Sequence, residues 1–330
     1  MSDKVAWGIL GTGNIAKQFA TALNAMDDAR IVAVGSRFQE SADRFGEQFG
    51  IEKRHASYEA LANDPNVEIV YVATPHGLHK DNSILCMRGG KGVLCEKPFA
   101  LNRGEVEEMI AVAEEEQVFL MEAMWTRFIP AVQQAIQWIA DGEIGDVRMV
   151  QASFGFRWDA PEGAALFDPA LGGGSLLDVG IYPITIAHLA YGGAPDVIKS
   201  IPYLGRNGVD EQMGVMFGYE GGGLAMLSSA IMTDTPYEAY IMGSKGMITL
   251  HDSFWNASRV SIRRGNDAVA PKMLEFPLEC NGYEYEAREA GQCLRAGKLE
   301  SAGMSHAISR EVISLLDDLR GEWGLKYLTD

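Results

Sequence analysis

The sequence predicts an α/β domain built on a doubly wound parallel sheet, followed by an α+β domain with a large, mostly antiparallel sheet. Three observations carry that prediction. Apolar, β-branched runs alternate with helical patterns over the first 125 residues. A glycine-rich turn at Gly11-Thr12-Gly13 joins the first such run to the first helical pattern. Beyond about residue 146, strand patterns succeed one another with few helices between them.

Val5 to Leu10 is a short apolar run ending in glycines. Asn14 to Met26 has helical spacing, with Ile15, Phe19, Ala22, Leu23 and Met26 along one face. Ile31 to Val34 reads as the next strand, and Ser41 to Phe49 as a helix with Phe45 and Phe49 one turn apart. Val67 to Ala73 is strongly β-branched, Lys80 to Arg88 helical, and Gly92 to Cys95 a short strand. Arg103 to Glu116 reads as a charged amphipathic helix and Val118 to Met121 as another strand. Such alternation favours a parallel sheet covered on both faces.

In the second half Val147 to Phe156 reads as a long strand, followed by a glycine-rich turn and a helix. Strands are expected at Val197 to Leu204, Gln212 to Tyr219, Leu224 to Met232, Tyr237 to Gly243, Met247 to His251 and Arg259 to Arg264. Tyr283 to Arg295 and Ser305 to Arg320 read as closing helices. At roughly 100–200 residues per domain, 330 residues make two, placed at 1–125 and 126–330. The last helices are free to pack back on the first domain, and the open face of the second sheet is available to a second copy.

Lys and Arg number 28 against 45 Asp and Glu, a formal charge of −17. A surface that acidic repels nucleic-acid phosphates and anionic membranes, which favours a small-molecule function. The four cysteines, Cys86, Cys95, Cys280 and Cys293, form no C-x-x-C pair and no His/Cys cluster with metal spacing. No metal site is expected, and the thiols suit a reducing compartment. Met1-Ser2-Asp3-Lys4-Val5 carries no secretory signal, and no run of about 18 apolar residues stands out, so the expected location is the cytoplasm.

Gly11-Thr12-Gly13-Asn14-Ile15-Ala16 fits G-x-G-x-x-G/A between a strand and a helix. Glycines there allow a tight turn and close approach of a pyrophosphate, and the helix N-terminus offers free N–H groups. An acid about 20 positions on binds the 2′-hydroxyl of NAD, whereas Arg accommodates the 2′-phosphate of NADP. The stretch here is Gly35-Ser36-Arg37, with no acid before Glu40. NADP is therefore favoured, with Ser36 and Arg37 on the phosphate. A swing of Glu40 toward a ribose leaves NAD possible, and a solvated Arg at a strand end would look the same.

Glu96-Lys97-Pro98 follows a strand of the first domain, where ligands of open α/β sheets bind. Pro98 restricts Lys97 to extended conformations or a cis bond, which fixes the direction of the lysine. In Gly173-Gly174-Ser175-Leu176-Leu177-Asp178-Val179-Gly180-Ile181-Tyr182-Pro183, Asp178 and Tyr182 are four apart and share a helix face. Pro183 is expected to kink that helix.

Together, in this order and spacing, these segments resemble the Gfo/Idh/MocA oxidoreductase family over essentially the whole chain. Ala73-Thr74-Pro75-His76-Gly77-Leu78-His79, Met121-Glu122-Ala123-Met124-Trp125-Thr126-Arg127-Phe128 and Asp178 to Pro183 look most like the dihydrodiol dehydrogenase and glucose–fructose oxidoreductase branch. Many members, inositol dehydrogenases among them, carry His four residues after the Asp. Tyr182 departs from that pattern and puts an inositol substrate in doubt.

The resemblance implies hydride transfer between nicotinamide and a secondary alcohol or carbonyl of a sugar or cyclic trans-diol, with Lys97 and Tyr182 flanking the reacting carbon. It also implies a homodimer through the C-terminal sheet. Tyr182 is the favoured acid/base, with Lys97 lowering its pKa and Asp178 orienting Lys97 or a substrate hydroxyl; Lys97 as the acid/base stays open. Glu96, Thr74, Pro75, His79 and Trp125 are expected along the cofactor, with His79 equally readable as a structural imidazole. His76, Trp125, Arg127, Phe128, Phe154, Trp158 and Trp255 are expected around the substrate, His76 and the later aromatics also being readable as structural. Arg148 and Arg157 are further candidates for a polar substrate group, or simply solvated. The alternatives are a non-catalytic dinucleotide-binding sensor on the same scaffold, and a sugar oxidoreductase that keeps its cofactor bound.

Overall fold

A computed structural model describes residues 4–159, 164–265, 270–327 and 330; the start at Met1-Ser2-Asp3 lies outside the described residues. The backbone packs into two compact units, residues 1–125 with 279–310, and residues 126–278 with 311–330.

The first unit is a six-stranded parallel sheet. Its strands are β1 (Val5–Leu10), β2 (Ala29–Gly35), β3 (Lys53–His55), β4 (Ile69–Val72), β5 (Gly92–Glu96) and β6 (Leu120–Ala123). The order β3-β2-β1-β4-β5-β6 reverses direction between β1 and β4, which opens a crevice at the carboxyl ends of those two strands. The helices are α1 (Asn14–Ala25), α2 (Gln39–Phe49), α3 (Tyr58–Ala62), α4 (His79–Arg88) and α5 (Arg103–Glu116). β1 and β4 are buried along their whole length, the signature of a sheet covered on both faces. Phe19 of α1 stacks on Tyr71 of β4 with ring centroids 3.6 Å apart, and Trp7 of β1 meets Phe19 edge-on at 5.3 Å. Rings of this size each contribute about 1.5–3 kcal/mol through burial. The 279–310 segment adds a helix to this unit that packs against α1.

One local reading is corrected here, and two short elements are added. The last strand runs from Leu120, not Val118, because α5 ends on Gln117 in the left-handed region and Val118 N–H closes back on Ala113. Residues 53–62 hold β3 and α3, which have too few residues to show a period.

The second unit follows with α6 (Pro130–Ala140), β7 (Val147–Gly155), α7 (Ile181–Tyr191), β8 (Val197–Leu204), β9 (Asp210–Tyr219), β10 (Gly223–Ala230), β11 (Ala239–Gly243), β12 (Gly246–Leu250), β13 (Arg259–Arg264) and β14 (Lys272–Glu275). The chain closes with α8 (Tyr283–Arg295), the helix packed on α1, and α9 (His306–Trp323). The eight strands are ordered β14-β13-β12-β11-β7-β10-β9-β8. Only the β7–β10 pair is parallel. α7 covers the centre of one face, against β7 and β10. Alternation along β9 is plain: Met213, Val215 and Phe217 are buried, and Gln212, Gly214 and Met216 face outward. The outward face carries exposed Ile201, Met216 and Met226 around a groove of about 900 Å³. α6 and β14 escaped the sequence reading; Pro130 at the first helical position was the missed start signal.

Pro183 lies in the first turn of α7. The irregularity falls ahead of it, as a π-helical turn over Leu176–Gly180, where the widened backbone relieves the i−4 clash of the ring. Pro169–Tyr191 is long and apolar enough to cross a membrane by composition, contrary to the sequence expectation. In this fold 83% of its most apolar window is buried, as a core helix should be.

Candidate functional site

In the first unit the chain leaves β1 through Gly11, at φ 107°, where a Cβ would lie 2.5 Å from the Ala73 carbonyl oxygen. Only glycine passes β4 so closely. Gly13 caps α1 without a side-chain hydrogen bond, and the first turn of α1 holds no acid. A Cβ on Gly13 would meet nothing within 4 Å. The α1 N–H groups therefore open onto free space, flanked by half-buried Thr12 and exposed Asn14 and Ile15. That cradle fits a pyrophosphate in both space and charge.

At the end of β2, Ser36 is buried and Arg37 exposed. The Arg37 guanidinium lies beside the Tyr58 hydroxyl at the start of α3 and 6.0 Å from the Phe38 ring centroid. Burial raises the Tyr58 phenol while Arg37 pulls it down. Glu40 turns onto α2, toward Arg44 at 4.0 Å. Tyr58 was missed because its link to Arg37 spans two elements.

The loop after β4 carries Thr74, Pro75 and His76. Thr74 Oγ1 accepts from Asn82 at 3.2 Å. His79 is fully buried, with Nε2 2.8 Å from the Thr74 carbonyl and Nδ1 2.8 Å from the Pro98 carbonyl. Burial, with His76 beside it, pulls its imidazole down to about 3, so the ring is neutral and donates to one carbonyl at a time. With backbone at both nitrogens, His79 ties the β4 and β5 loops together rather than presenting a nitrogen to a ligand. His76 packs edge-on against it at 5.7 Å.

Glu96 ends β5, and the Lys97–Pro98 peptide that follows is cis. Tyr71 donates to Glu96 Oε1, and the Lys97 N–H donates to Oε2 at 3.1 Å. Nearby Glu286 of α8 is fully buried, and burial followed by the Glu96 charge raises its carboxyl well above the usual range. Trp125 stacks flat on Tyr283 of α8, centroids 4.2 Å apart. Tyr283, 158 residues further along the chain, carried no local signal.

In the second unit the glycines of the second motif are packing requirements. A Cβ on Gly173 would come 2.6 Å from the Leu166 carbonyl oxygen, and one on Gly180 would come 2.9 Å from Met213 and Ser229. Gly174 sits at φ 123°, where a Cβ would lie 2.2 Å from Asp210 Oδ1. Asp178 stands half-buried on the π turn, and Tyr182 follows in α7 at 6% exposure. Beside Tyr182, Phe154 and Trp255 stack at 3.6 Å with their planes 7° apart. The Tyr182 ring is 5.5 Å from Phe154 and 6.4 Å from Trp255. Tyr237 completes the group, edge-on to Trp255 at 4.9 Å. Thr126 fixes the stack by donating to the Trp255 carbonyl at 2.8 Å.

Arg127 is buried, close enough to His188 to lower its imidazole together with burial; Phe128 is half-buried. Trp158 stands apart from the stack, 39% exposed and 6.4 Å from Phe167. Arg148 bonds Asp146 and the Gly221 carbonyl, and Arg157 pairs with Asp159, all on the surface. Both arginines are solvated surface groups.

A model for the NAD-binding Rossmann domain of the Gfo/Idh/MocA oxidoreductases matches residues 5–124, and a model for the C-terminal domain of that family matches 132–249. Trans-1,2-dihydrobenzene-1,2-diol dehydrogenase of Xenopus tropicalis is 36% identical over 329 residues, covering 97% of this chain and 98% of that protein. Among solved structures, aldose-aldose oxidoreductase from Caulobacter crescentus, complexed with glycerol, matches with TM-score 0.87 and 26% identity over 96% of this chain and 97% of that one. KijD10, a 3-ketoreductase from Actinomadura kijaniata in complex with NADP and TDP-benzene, matches with TM-score 0.85 and 28% identity over the same shares.

Proposed function

Because the chain belongs to the Gfo/Idh/MocA oxidoreductase family, we propose that it is an NADP-dependent dehydrogenase of a cyclic trans-diol or sugar, with carbonyl reduction as the reverse. The observation that carries the reading is Tyr182, a nearly buried phenol against the flat Phe154–Trp255 stack. Such a wall suits the apolar face of a ring whose hydroxyls point toward the phenol. NADP, when bound, would supply the hydride acceptor for the alcohol and, reduced, the hydride donor for the carbonyl.

Tyr182 takes the alcohol proton as the hydride leaves. A free phenol titrates near pH ~10, too high for a base at neutral pH. The Lys97 ammonium, brought to the same substrate oxygen, favours the phenolate and shares that oxygen's charge. Asp178 orients Lys97 or the neighbouring hydroxyl. Exchanging the roles makes Lys97 the base; Tyr182→Phe would then retain turnover while Lys97→Met abolished it.

Gly11, Gly13 and the start of α1 hold the pyrophosphate. Ser36 and Arg37 hold the 2′-phosphate, with Tyr58 steadying the guanidinium. The NADP held by KijD10 supports this choice. Thr74, Pro75, Glu96 and Trp125 line the remaining cofactor. His76, Arg127, Phe128 and Trp158 are assigned to the substrate, together with the Phe154–Trp255 stack. A second copy covers the exposed Ile201–Met216–Met226 face. The likeness to an aldose-aldose oxidoreductase favours one further reading, a sugar oxidoreductase that retains its cofactor through purification.

Nicotinamide absorbance across NADP and NAD, against monosaccharides, a trans-dihydrodiol and dicarbonyls in reverse, tests the proposal. Turnover with NADP and one substrate class is expected. Turnover confined to NAD would overturn the Arg37 assignment, and silence with cofactor binding intact would overturn the dehydrogenase reading for these substrates.

A further inference from the structure

The helix that bears Asp178 and Tyr182 begins against a carboxylate from another strand. Asp210, the first residue of β9, is fully buried. Its Oδ2 accepts from the Leu176 N–H at 2.6 Å and from the Ser175 hydroxyl at 2.8 Å. Ser175 Oγ in turn lies 2.9 Å from Ser229 Oγ of β10. Asp210 Oδ1 has no hydrogen-bond partner, and no ion pair to Asp210 is found among the described residues. Gly174 leaves the space that this carboxylate occupies. A neighbouring clamp holds the same glycine turn, where the Tyr327 hydroxyl donates to the Gly173 carbonyl at 2.7 Å.

A buried carboxylate without a cation is a poor way to stabilise a fold. It is a good way to fix a helix start, whose free N–H groups and positive dipole end favour an anion. Leu176 opens the π turn, so a shift there moves Asp178 and then Tyr182. Reactive groups displaced by about 1 Å lose on the order of 10²-fold in rate.

We propose that Asp210 is a positioning residue whose ionised carboxylate fixes the start of the Asp178–Tyr182 helix, and that turnover requires it in that form. This rests on the assignment of Tyr182 as acid/base. The groups facing Asp210 are Ser175 ahead of α7, Ser229 of β10 and Tyr327; behind Tyr327 lies Arg320, paired with Asp317 and Asp330. Burial pushes the Asp210 carboxyl up to about 6 against the pull of Ser175 and the Leu176 N–H. Protonation at the unpartnered Oδ1 leaves Oδ2 a neutral acceptor, which holds the Leu176 N–H and the Ser175 hydroxyl more weakly than a carboxylate does, so turnover acquires an acid limb near pH 6.

The test compares wild type, Asp210→Asn, Ser175→Ala and Tyr182→Phe as full chains, with kcat, KM and NADP affinity measured from pH 5 to 9. Asp210→Asn should fold, bind NADP within about twofold of wild type, lose tenfold or more in kcat at pH 8, and lose the acid limb. Ser175→Ala, which removes one of the two donors, should move the acid limb to higher pH. Wild-type kcat and an unchanged acid limb in Asp210→Asn would overturn the proposal. If that variant fails to fold, an unshifted limb in Ser175→Ala overturns it instead. If Tyr182→Phe keeps its turnover, the Tyr182 assignment fails and the Asp210 proposal falls with it. An inactive Tyr182→Phe beside an unaffected Asp210→Asn isolates the failure to Asp210.

Discussion

Two helices of this protein begin after glycines, and they begin in opposite ways. At α1 the N-terminus is uncapped, acid-free and open: a side chain on Gly13 would meet nothing. At the turn leading into α7 the N-terminus is closed: Asp210 fills it from within, and a side chain on Gly174 would collide with that carboxylate. The contrast teaches that the same local chemistry serves two purposes. An open start recruits an anion from solution. A start filled by the protein's own carboxylate holds reactive side chains in place.

The comparison breaks most visibly at Gly13. Gly13→Glu places a carboxylate in the open start, and NADP affinity should fall by about 100-fold or more with the fold intact, read by titration of bound cofactor. Retained affinity would remove α1 from the cofactor site. Next in size is Arg37→Ala, which should lower the NADP-over-NAD preference in kcat/KM by about 10–100-fold, in keeping with a charged contact to the 2′-phosphate. Tyr58→Phe should lower it only about threefold, because it loosens the guanidinium without removing it.

The glycines sharpen the contrast through stability. Gly174→Ala should destabilise by about 2–3 kcal/mol in denaturant unfolding, through its positive φ and the collision with Asp210. Gly13→Ala should stay within about 0.5 kcal/mol of wild type.

The closed helix start also predicts a pH dependence of stability. The Asp210 carboxyl is raised to about 6, so between pH 4 and 6 the folded chain holds a proton that the unfolded chain releases. This group therefore lowers stability as pH rises through that window and adds a constant cost above it. Asp210→Asn should gain on wild type by roughly 2 kcal/mol between pH 4 and 7, measured by urea unfolding at each pH. A variant that loses ground as pH rises would contradict the sign.

The sequence disclosed what local spacing encodes. The strand–glycine–helix start at residues 5–25, the Arg103–Glu116 helix and the alternation along β9 are periodic patterns, and they appear at or near the expected positions. The short pieces β3, α3 and β14 lay below the length at which a period can show. Among site residues, Lys97, Asp178 and Tyr182 stood out because chemistry and motif coincide within a few positions. Asp210, Tyr58 and Tyr283 did not, because each matters only through a partner far along the chain: Asp210 through Leu176, Tyr58 through Arg37, Tyr283 through Trp125. Spacing cannot register contacts made by folding. His79 shows the converse, a motif residue whose buried ring spends both nitrogens on backbone carbonyls.

The division of labour between the two helix starts is tested most directly by measuring kcat and NADP affinity together in Tyr182→Phe. Removing one hydroxyl from the closed helix should lower kcat by about 10²–10⁴-fold, the range of a lost general acid/base, and leave NADP affinity unchanged. Turnover that survives the substitution, or affinity that falls in step with it, would contradict the account.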